Sequence, residues 1–181
     1  MITMPDLQTA LLDLLHEVKG TDIKLIIGGG IHAHPVDEAP TLEEGLLSES
    51  LTGKLSSGES WQAEVFLPHP YTFLMMKLFA FRDRLDDADK EFGRYHALDL
   101  YTILATTMEM EWNQAIEFQK RQEGDPFFIE AGRLVAGHFS ALNRLGMIRM
   151  RESRYYRAEL QLGQFMSALQ ELFPGGGKPV F

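Results

Sequence analysis

The chain has 181 residues, of which 45% are hydrophobic, so it is long enough to build a packed core in one domain or two small ones. Its 26 acidic and 17 basic residues give a formal charge of -9, which argues against a general nucleic-acid-coating surface but leaves room for a local basic pocket. The absence of cysteine excludes disulfides, thiol nucleophiles and zinc–thiolate sites. No apolar run approaches the roughly 20 residues that span a bilayer and no signal-peptide pattern opens the chain, so we expect a cytoplasmic protein without a membrane partner.

The first segment predicts a helix followed by a short buried strand. The helix has one apolar stripe and is ended by Gly20; the stripe consists of Leu7, Leu11, Leu14, Leu15 and Val18. Residues 23–27 (IKLII) favour a buried strand that runs into Gly28, Gly29 and Gly30. Glycines after a strand let a ligand approach backbone N–H groups closely, although such a run is more often only a tight turn.

Two histidines follow the glycines on one face of a short predicted strand. His32 and His34, with Asp37 or Glu38 as a third ligand, can hold a metal ion and would make the protein a metal hydrolase. The third ligand would come from a loop of unpredictable conformation. Solvent-facing or hydrogen-bonded histidines are therefore the favoured interpretation.

A small sheet is predicted before residue 68. Residues 52–60 are typical of a strand end and a turn, and residues 61–67 (WQAEVFL) alternate as a strand with one buried side. Pro68 and Pro70 end the sheet and begin the next helix.

That helix is apolar almost all round from Tyr71 onwards and carries one lysine, Lys77. Arg84 follows seven residues later, about 20° away around a helix, so the two cations are predicted to share a face two turns apart. Two interpretations are open. In the favoured one Lys77 snorkels, with its stem on the core and its ammonium in water. In the other the two cations form a basic strip that binds an anion such as a phosphate.

An acidic connector (LDDADKEFG) joins this helix to a second one that is predicted to begin at Tyr95 and to run to about Met110. Its expected apolar pattern is Leu98, Tyr101, Thr102, Ala105 and Met108. Lys90 in the connector can meet the same anion as Lys77. Asp99 lies within the helix and is expected to be paired, with Arg84, Lys90 and Arg94 as the nearest cations in the sequence.

The rest of the chain is predicted to be helical. Residues 109–122 continue as helix, Asp125 caps a helix that runs to about Leu142 and is closed by Gly146, and a last amphipathic helix covers residues 160–173. His138 is expected to be a core or boundary residue rather than a catalytic one.

Residues 149–157 (RMRESRYYR) form the most basic stretch, with four arginines around two tyrosines. In so acidic a chain, ion pairing within the protein is favoured for these arginines over contact with a nucleic acid.

Three pieces in this order resemble the AbiEii-type toxins of the nucleotidyltransferase superfamily: LIIGGG, then VFLPHPYTFLMMKLFAFRDR, then Lys90 followed by HALDLY. The resemblance implies an α+β fold, with a small mixed β-sheet of a nucleotidyltransferase-like core and a C-terminal helical half. It divides the chain into a partial nucleotidyltransferase-like part at 1–68 and a helical part at 69–181.

The same resemblance implies the ligands and the residues that bind them. Gly28, Gly29 and Lys77 would bind a nucleoside triphosphate, and Arg84, Lys90 and Asp99 match the second cluster of the pattern. Mg²⁺ would be the cofactor, and the nucleotide would be transferred to an RNA or protein acceptor. An antitoxin protein is a further expected partner.

The chain departs from the family in its acidic residues. The family's metal site needs two carboxylates separated by one residue on a strand, whereas the corresponding window holds the adjacent pairs Asp37–Glu38 and Glu43–Glu44, which a strand would point to opposite faces. No catalytic or metal-binding residue is therefore assigned. Either a segment is missing between Gly30 and Ile31, or the protein is a catalytically inactive nucleotide- or protein-binding module.

Overall fold

The computed structural model describes residues 4–21, 45–86 and 90–175 and shows an α+β protein. These residues form two compact units, one of residues 4–21 and 45–69 and the other of residues 70–175. The division falls between His69 and Pro70, one residue after the boundary that the sequence suggested. The predicted strand at 23–27 and the junction between Gly30 and Ile31 lie outside the described residues.

The first unit is a β-hairpin with a helix packed on it. The helix is α1 (Met4–Glu17), and the strands are β1 (Leu47–Lys54) and β2 (Ser60–Leu67). The strands pair antiparallel, from Leu47 opposite Leu67 to Lys54 opposite Ser60. Gly58 has a φ of +86° and allows the chain to turn between them. Within the described residues the sheet is therefore an antiparallel pair of strands. Burial alternates along β2 as predicted, with Trp61, Ala63 and Val65 on the more buried side.

The predicted stripe of α1 is confirmed only in part. Leu15 is buried and Leu11 and Val18 are partly buried, but Leu7 and Leu14 are 53% and 51% exposed, and Leu12, which the stripe omitted, is fully buried. The reason lies in the hairpin, because a Cβ at Gly53 would come within 2.6 Å of the Leu12 side chain. The missing side chain at that position lets the strand approach the Leu12 face of a helix that is rich in leucine on more than one side.

The second unit consists of helices packed around one apolar core. In chain order they are α2 (Pro70–Asp83), α3 (Lys90–Thr106), α4 (Glu109–Arg121), α5 (Pro126–His138), α6 (Leu145–Glu152) and α7 (Leu162–Leu172). Nine of the fourteen residues of α2 are buried, which confirms that this helix is enclosed almost all round. The final amphipathic helix is also confirmed, since Phe165, Leu169 and Leu172 of α7 lie in the core.

The predicted second helix is two helices in the structure. Helix α3 ends at Thr106, and α4 begins at Glu109 because the carboxylate of Glu111 accepts a hydrogen bond from the Met108 N–H at 2.7 Å and so caps a new helix. The predicted pattern of α3 is confirmed only in part. Leu98 and Tyr101 pack against the core as expected, but Met108 is 60% exposed, and among the described side chains of the helix those of Ala97 and Leu100 are fully buried.

The start of α5 is confirmed and its end is not. The Asp125 side chain accepts hydrogen bonds from the N–H groups of Phe127 and Phe128, as an N-cap does. The helix ends at His138, four residues earlier than predicted, and Gly146 lies inside α6 rather than closing α5. A Cβ at Gly146 would lie 2.4 Å from the ring of Phe139, so this glycine makes space for a core aromatic side chain.

Among the described residues, no helix is long and apolar enough to cross a membrane.

Candidate functional site

Helices α2 and α3 bring Lys77 and Asp99 into direct contact. The Lys77 Nζ lies 2.6 Å from Oδ2 of Asp99, and the ammonium also lies 5.4 Å from the centre of the Phe73 ring. The Lys77 side chain is only 11% exposed, whereas that of Asp99 is 42% exposed. The pair is thus anchored in the core at its cationic end and open to solvent at its anionic end.

This contact corrects two expectations from the sequence. In the described structure Asp99 pairs with Lys77, which is farther away in the sequence than the three cations expected, and one of those three, Arg94, pairs with Glu152 at 3.2 Å. The Lys77 ammonium also does not snorkel into bulk water, since it ends on a carboxylate while remaining nearly buried. The spacing of 22 residues between the partners is set by the turn of the α2–α3 hairpin, which a helical pattern does not reveal.

Arg84 lies outside the helix on which the sequence placed it. Helix α2 ends at Asp83, and the Arg84 N–H bonds back to the Phe81 carbonyl at 3.2 Å in a turn. Arg84 is therefore the residue that directly follows the helix, and a shared face of Lys77 and Arg84 stays a prediction.

The other predicted site residues contribute less to the described geometry. Lys90 is the first residue of α3, and its side chain lies outside the described part of the structure. Gly28 and Gly29 also lie outside it, as do His32 and His34. Of the six predicted nucleotide-binding residues, the described structure brings together the side chains of two, Lys77 and Asp99.

A buried arginine holds the end of α2. Arg149 is 3% exposed, and its Nη1 and Nη2 donate to the carbonyls of Arg84 and Leu85 at 2.9 and 2.7 Å. These carbonyls follow the C-terminus of a helix, where partial negative charge favours a cation. A Cβ at Gly93 would lie 2.5 Å from Arg149 Nη1, so α3 needs a glycine there. The buried Nε of Arg149 has no acceptor among the described residues.

The predicted ion pairing of the basic stretch takes a different form for two of its arginines. Arg149 donates to backbone carbonyls, and so does Arg151, which reaches the carbonyls of Met147 and Leu142 at 3.2 and 2.7 Å. The carbonyls of Arg84, Leu85 and Leu142 lie in turns outside the helices, and that of Met147 lies one turn earlier in α6 than Arg151 itself. One residue in the sequence indicates the position of Arg149. It is Gly93, whose missing side chain leaves room for the Arg149 guanidinium.

His138 occupies the boundary position expected for it. Its ring meets the Phe81 ring at 5.6 Å, edge to face, and it is half-buried. Burial lowers the pKa of His138 below its ordinary value, and the positive charges of Arg149 and Arg144 lower that pKa further. The neutral imidazole is therefore the predominant form in the folded protein above pH 6.5.

A separate groove of about 320 Å³ lies between α3 and α7. Its lining contains no charged side chain and consists of Tyr101, Leu104, Ala105, Gln161, Gln164, Phe165 and Ala168. None of the predicted site residues belongs to this lining. A neutral groove does not suit a triphosphate, so it does not compete with the Lys77–Asp99 pair as the candidate site.

The described residues do not fit the Mg²⁺ site that the resemblance implies. Within them, no group of three or more histidine, aspartate and glutamate side chains is placed to hold a metal ion. Glu109 and Glu111 have the spacing of a carboxylate pair but lie on a helix, and Glu111 is buried at the cap of α4. The remaining acidic candidates lie outside the described residues: Asp37, Glu38, Glu43, Glu44, Asp87 and Asp89.

Comparison of the chain with known protein families, with curated proteins and with solved structures yields no match. The function is therefore inferred from the residues and from their geometry.

Proposed function

We propose that this chain is a nucleotidyltransferase-like protein, resembling the AbiEii toxins of toxin–antitoxin systems, that binds a nucleoside triphosphate at the Lys77–Asp99 pair. One observation carries the proposal. Lys77 and Asp99 belong to two separate pieces of the resemblance, and their charged groups lie 2.6 Å apart. A resemblance that selected residues at random along the chain would seldom select two that touch.

The physical case rests on how the ammonium is held. Lys77 is almost buried, so its attraction for an anion is screened less than that of a surface lysine. Asp99 fixes the position of the ammonium through a hydrogen bond of 2.6 Å from Nζ to Oδ2. A phosphate oxygen would have to share the ammonium with the Asp99 carboxylate or displace that carboxylate, and it would then meet a cation that is already oriented.

The reaction proposed for such a protein is transfer of a nucleotide to an RNA or protein acceptor in the cytoplasm, with Mg²⁺ as cofactor and an antitoxin protein as regulator. Since the described residues do not supply the carboxylates for Mg²⁺, no step is assigned to the metal. The departure of the acidic residues in the sequence from the family's carboxylate spacing supports the second candidate function. In it the protein is a catalytically inactive module that binds a nucleotide or a protein partner.

The two candidates are separated by a labelling experiment. The protein is incubated with Mg²⁺ and each of the four radiolabelled nucleoside triphosphates, together with total RNA or total protein as acceptor, and nucleotide binding is measured in parallel. Transfer of label supports the enzyme, and binding without transfer supports the inactive module. Absence of both nucleotide binding and transfer contradicts nucleotide recognition.

The mass of the native polypeptide separates the two explanations for the missing carboxylates. A mass above the 20.5 kDa of this sequence would agree with a segment absent between Gly30 and Ile31. A mass of 20.5 kDa would favour the degenerate relative.

A further inference from the structure

Two tyrosines and an arginine form an aromatic cluster on the surface of the helical unit. Tyr95 comes from α3, and Arg154 and Tyr155 come from the segment between α6 and α7. The two tyrosine rings lie 6.0 Å apart and are inclined by 39°. The Arg154 guanidinium lies 5.7 Å from the Tyr95 ring and 4.8 Å from the Tyr155 ring, within the range of cation–π attraction.

The cluster presents an aromatic surface to solvent. Tyr155 is 53% exposed although tyrosine side chains are usually buried over most of their area, and Tyr95 is half-buried. Neither tyrosine hydroxyl makes a hydrogen bond in the described part of the chain. The hydroxyls therefore do not explain why the rings are held together; the Arg154 guanidinium lies over both rings, and about half of the Tyr155 side chain is open to solvent.

The segment that carries Arg154 and Tyr155 is basic although the protein as a whole is acidic, since residues 151–157 contain three arginines and one glutamate. Arg151 and Arg157 lie on either side of it in the sequence and are exposed. The nearby Glu152 is paired with Arg94 through two contacts, at 3.2 and 3.3 Å, so its charge is offset. This local excess of arginine suits an anionic partner.

The cluster lies beside the Lys77–Asp99 pair. Tyr95 precedes Asp99 by four residues on α3, which places the two on the same face of the helix about 6 Å apart along its axis. A molecule with a flat ring and a phosphate a few ångströms away can therefore contact the cluster and the pair together.

We infer that Tyr95, Arg154 and Tyr155 form a stacking surface for an unpaired nucleobase whose phosphates face the surrounding arginines. Aromatic rings and guanidinium planes bind bases of any sequence through their π faces, and arginine adds attraction for the backbone charge. The base can belong to the bound nucleotide or to a single-stranded polynucleotide. The inference rests on the proposed function for its choice of nucleotide chemistry, but it concerns different side chains.

The test measures two ligands separately by fluorescence anisotropy. One is a labelled single-stranded RNA of mixed sequence in the absence of triphosphate, and the other is a labelled nucleoside triphosphate. Tyr155→Leu removes the ring and Tyr155→Phe keeps it. Arg154→Ala removes the guanidinium, and Arg133→Ala, which removes an exposed arginine on α5, serves as the charge control. Thermal unfolding checks that each variant is folded, which the exposure of Tyr155 favours.

We expect Tyr155→Leu and Arg154→Ala to weaken binding of at least one of the two ligands by about five- to a hundredfold, while Tyr155→Phe and Arg133→Ala bind nearly as the natural chain does. Loss confined to the RNA identifies a polynucleotide base, and loss of the triphosphate identifies the base of the nucleotide. Arg154→Ala should also reduce the salt dependence of RNA binding.

Unchanged binding of both ligands in Tyr155→Leu and Arg154→Ala would overturn the inference, as would failure of the natural chain to bind either ligand. The proposed function fails on different evidence, since it requires Lys77 for the triphosphate. A halogenated uridine in the RNA gives a direct check, because irradiation should cross-link it to Tyr155 or Tyr95. A cross-link mapped only elsewhere would contradict the stacking surface.

Discussion

The contact between Lys77 and Asp99 is asymmetric: the ammonium is nearly buried and the carboxylate is 42% exposed, although only 2.6 Å separate the two charged atoms. The cost of losing either partner should therefore differ. Without Asp99, a cation would remain in the core with a weakened set of acceptors. Without Lys77, the carboxylate would remain partly in water.

We expect Asp99→Asn to lower the free energy of unfolding by about 1–3 kcal/mol and Lys77→Met to lower it by less, because methionine fills the same apolar space without a charge. Urea unfolding of the two variants and of the double variant measures the difference. A larger loss for Lys77→Met than for Asp99→Asn would contradict the asymmetry.

Gly93 is predicted to be required by the side chain of Arg149 rather than by its own backbone. Gly93→Ala places a Cβ 2.5 Å from Nη1, so the guanidinium must shift away from the carbonyls of Arg84 and Leu85. We expect the free energy of unfolding to fall by about 1–3 kcal/mol although alanine is the better helix former.

The matched control is Gly137→Ala. A Cβ at this helical position of α5 meets nothing within 4 Å, so the change should raise stability by about 0.5 kcal/mol. Equal effects of the two substitutions would show that Arg149 does not need the space. The effects of Gly93→Ala and Arg149→Ala should also be less than additive, because both break the same hydrogen bonds.

Stability should depend on pH through His138. Since burial and the neighbouring arginines hold its native pKa below the ordinary value of 6.5, the unfolded chain takes up the proton more readily. The contribution of His138 to the free energy of unfolding is therefore fully present above pH 6.5 and is lost as the pH falls below that value towards the native pKa. In His138→Gln this part of the pH dependence should disappear from urea unfolding curves.

The cause of the shift can be tested by nuclear magnetic resonance titration of the His138 ring. Arg144→Ala removes one of the two positive charges and should raise the pKa of His138. Arg133→Ala, an exposed arginine on the same helix as His138, should leave that pKa where it is. A rise in both variants would contradict a specific effect of Arg144.

The cap of α5 should carry a measurable part of the stability. Asp125→Ala removes the acceptor for the Phe127 and Phe128 N–H groups at 2.8 and 3.2 Å, with an expected loss of about 1 kcal/mol in the free energy of unfolding. Asp125→Asn keeps a side-chain oxygen and should lose much less. If thermal or urea unfolding gives the same loss of free energy of unfolding for Asp125→Ala and Asp125→Asn, the carboxylate acts through its charge rather than as a cap.

The sequence predicts the elements whose signals are local. The Asp125–Pro126 start of α5, the enclosed helix α2 and the alternation of β2 all follow from spacing and from capping chemistry, and the structure confirms them. Errors arise where a partner from a distant segment decides the outcome. Leu12 is buried because Gly53 admits it, and Gly146 lies within a helix because the Phe139 ring covers it.

The candidate site was predictable only in part for the same reason. The resemblance selected Lys77 and Asp99, but the pairing between them depends on the hairpin that joins α2 to α3. Arg84 was misplaced because the end of α2 is fixed by Arg149, which comes from α6, 65 residues later. Within residues 70–99 only the glycine at position 93, which leaves room for the Arg149 guanidinium, points to that contact.

The central claim, that the Lys77–Asp99 pair binds a nucleotide, is tested most directly by titrating nucleoside triphosphates into the natural chain and into Lys77→Ala. The control is Arg82→Ala, since Arg82 is a more exposed cation on the same helix that pairs with the adjacent Asp83. We predict at least about fivefold weaker binding for Lys77→Ala, corresponding to a loss of more than about 1 kcal/mol, and little change for Arg82→Ala. Equal affinity of the natural chain and Lys77→Ala would contradict the claim and leave Lys77 as a structural ion-pair partner.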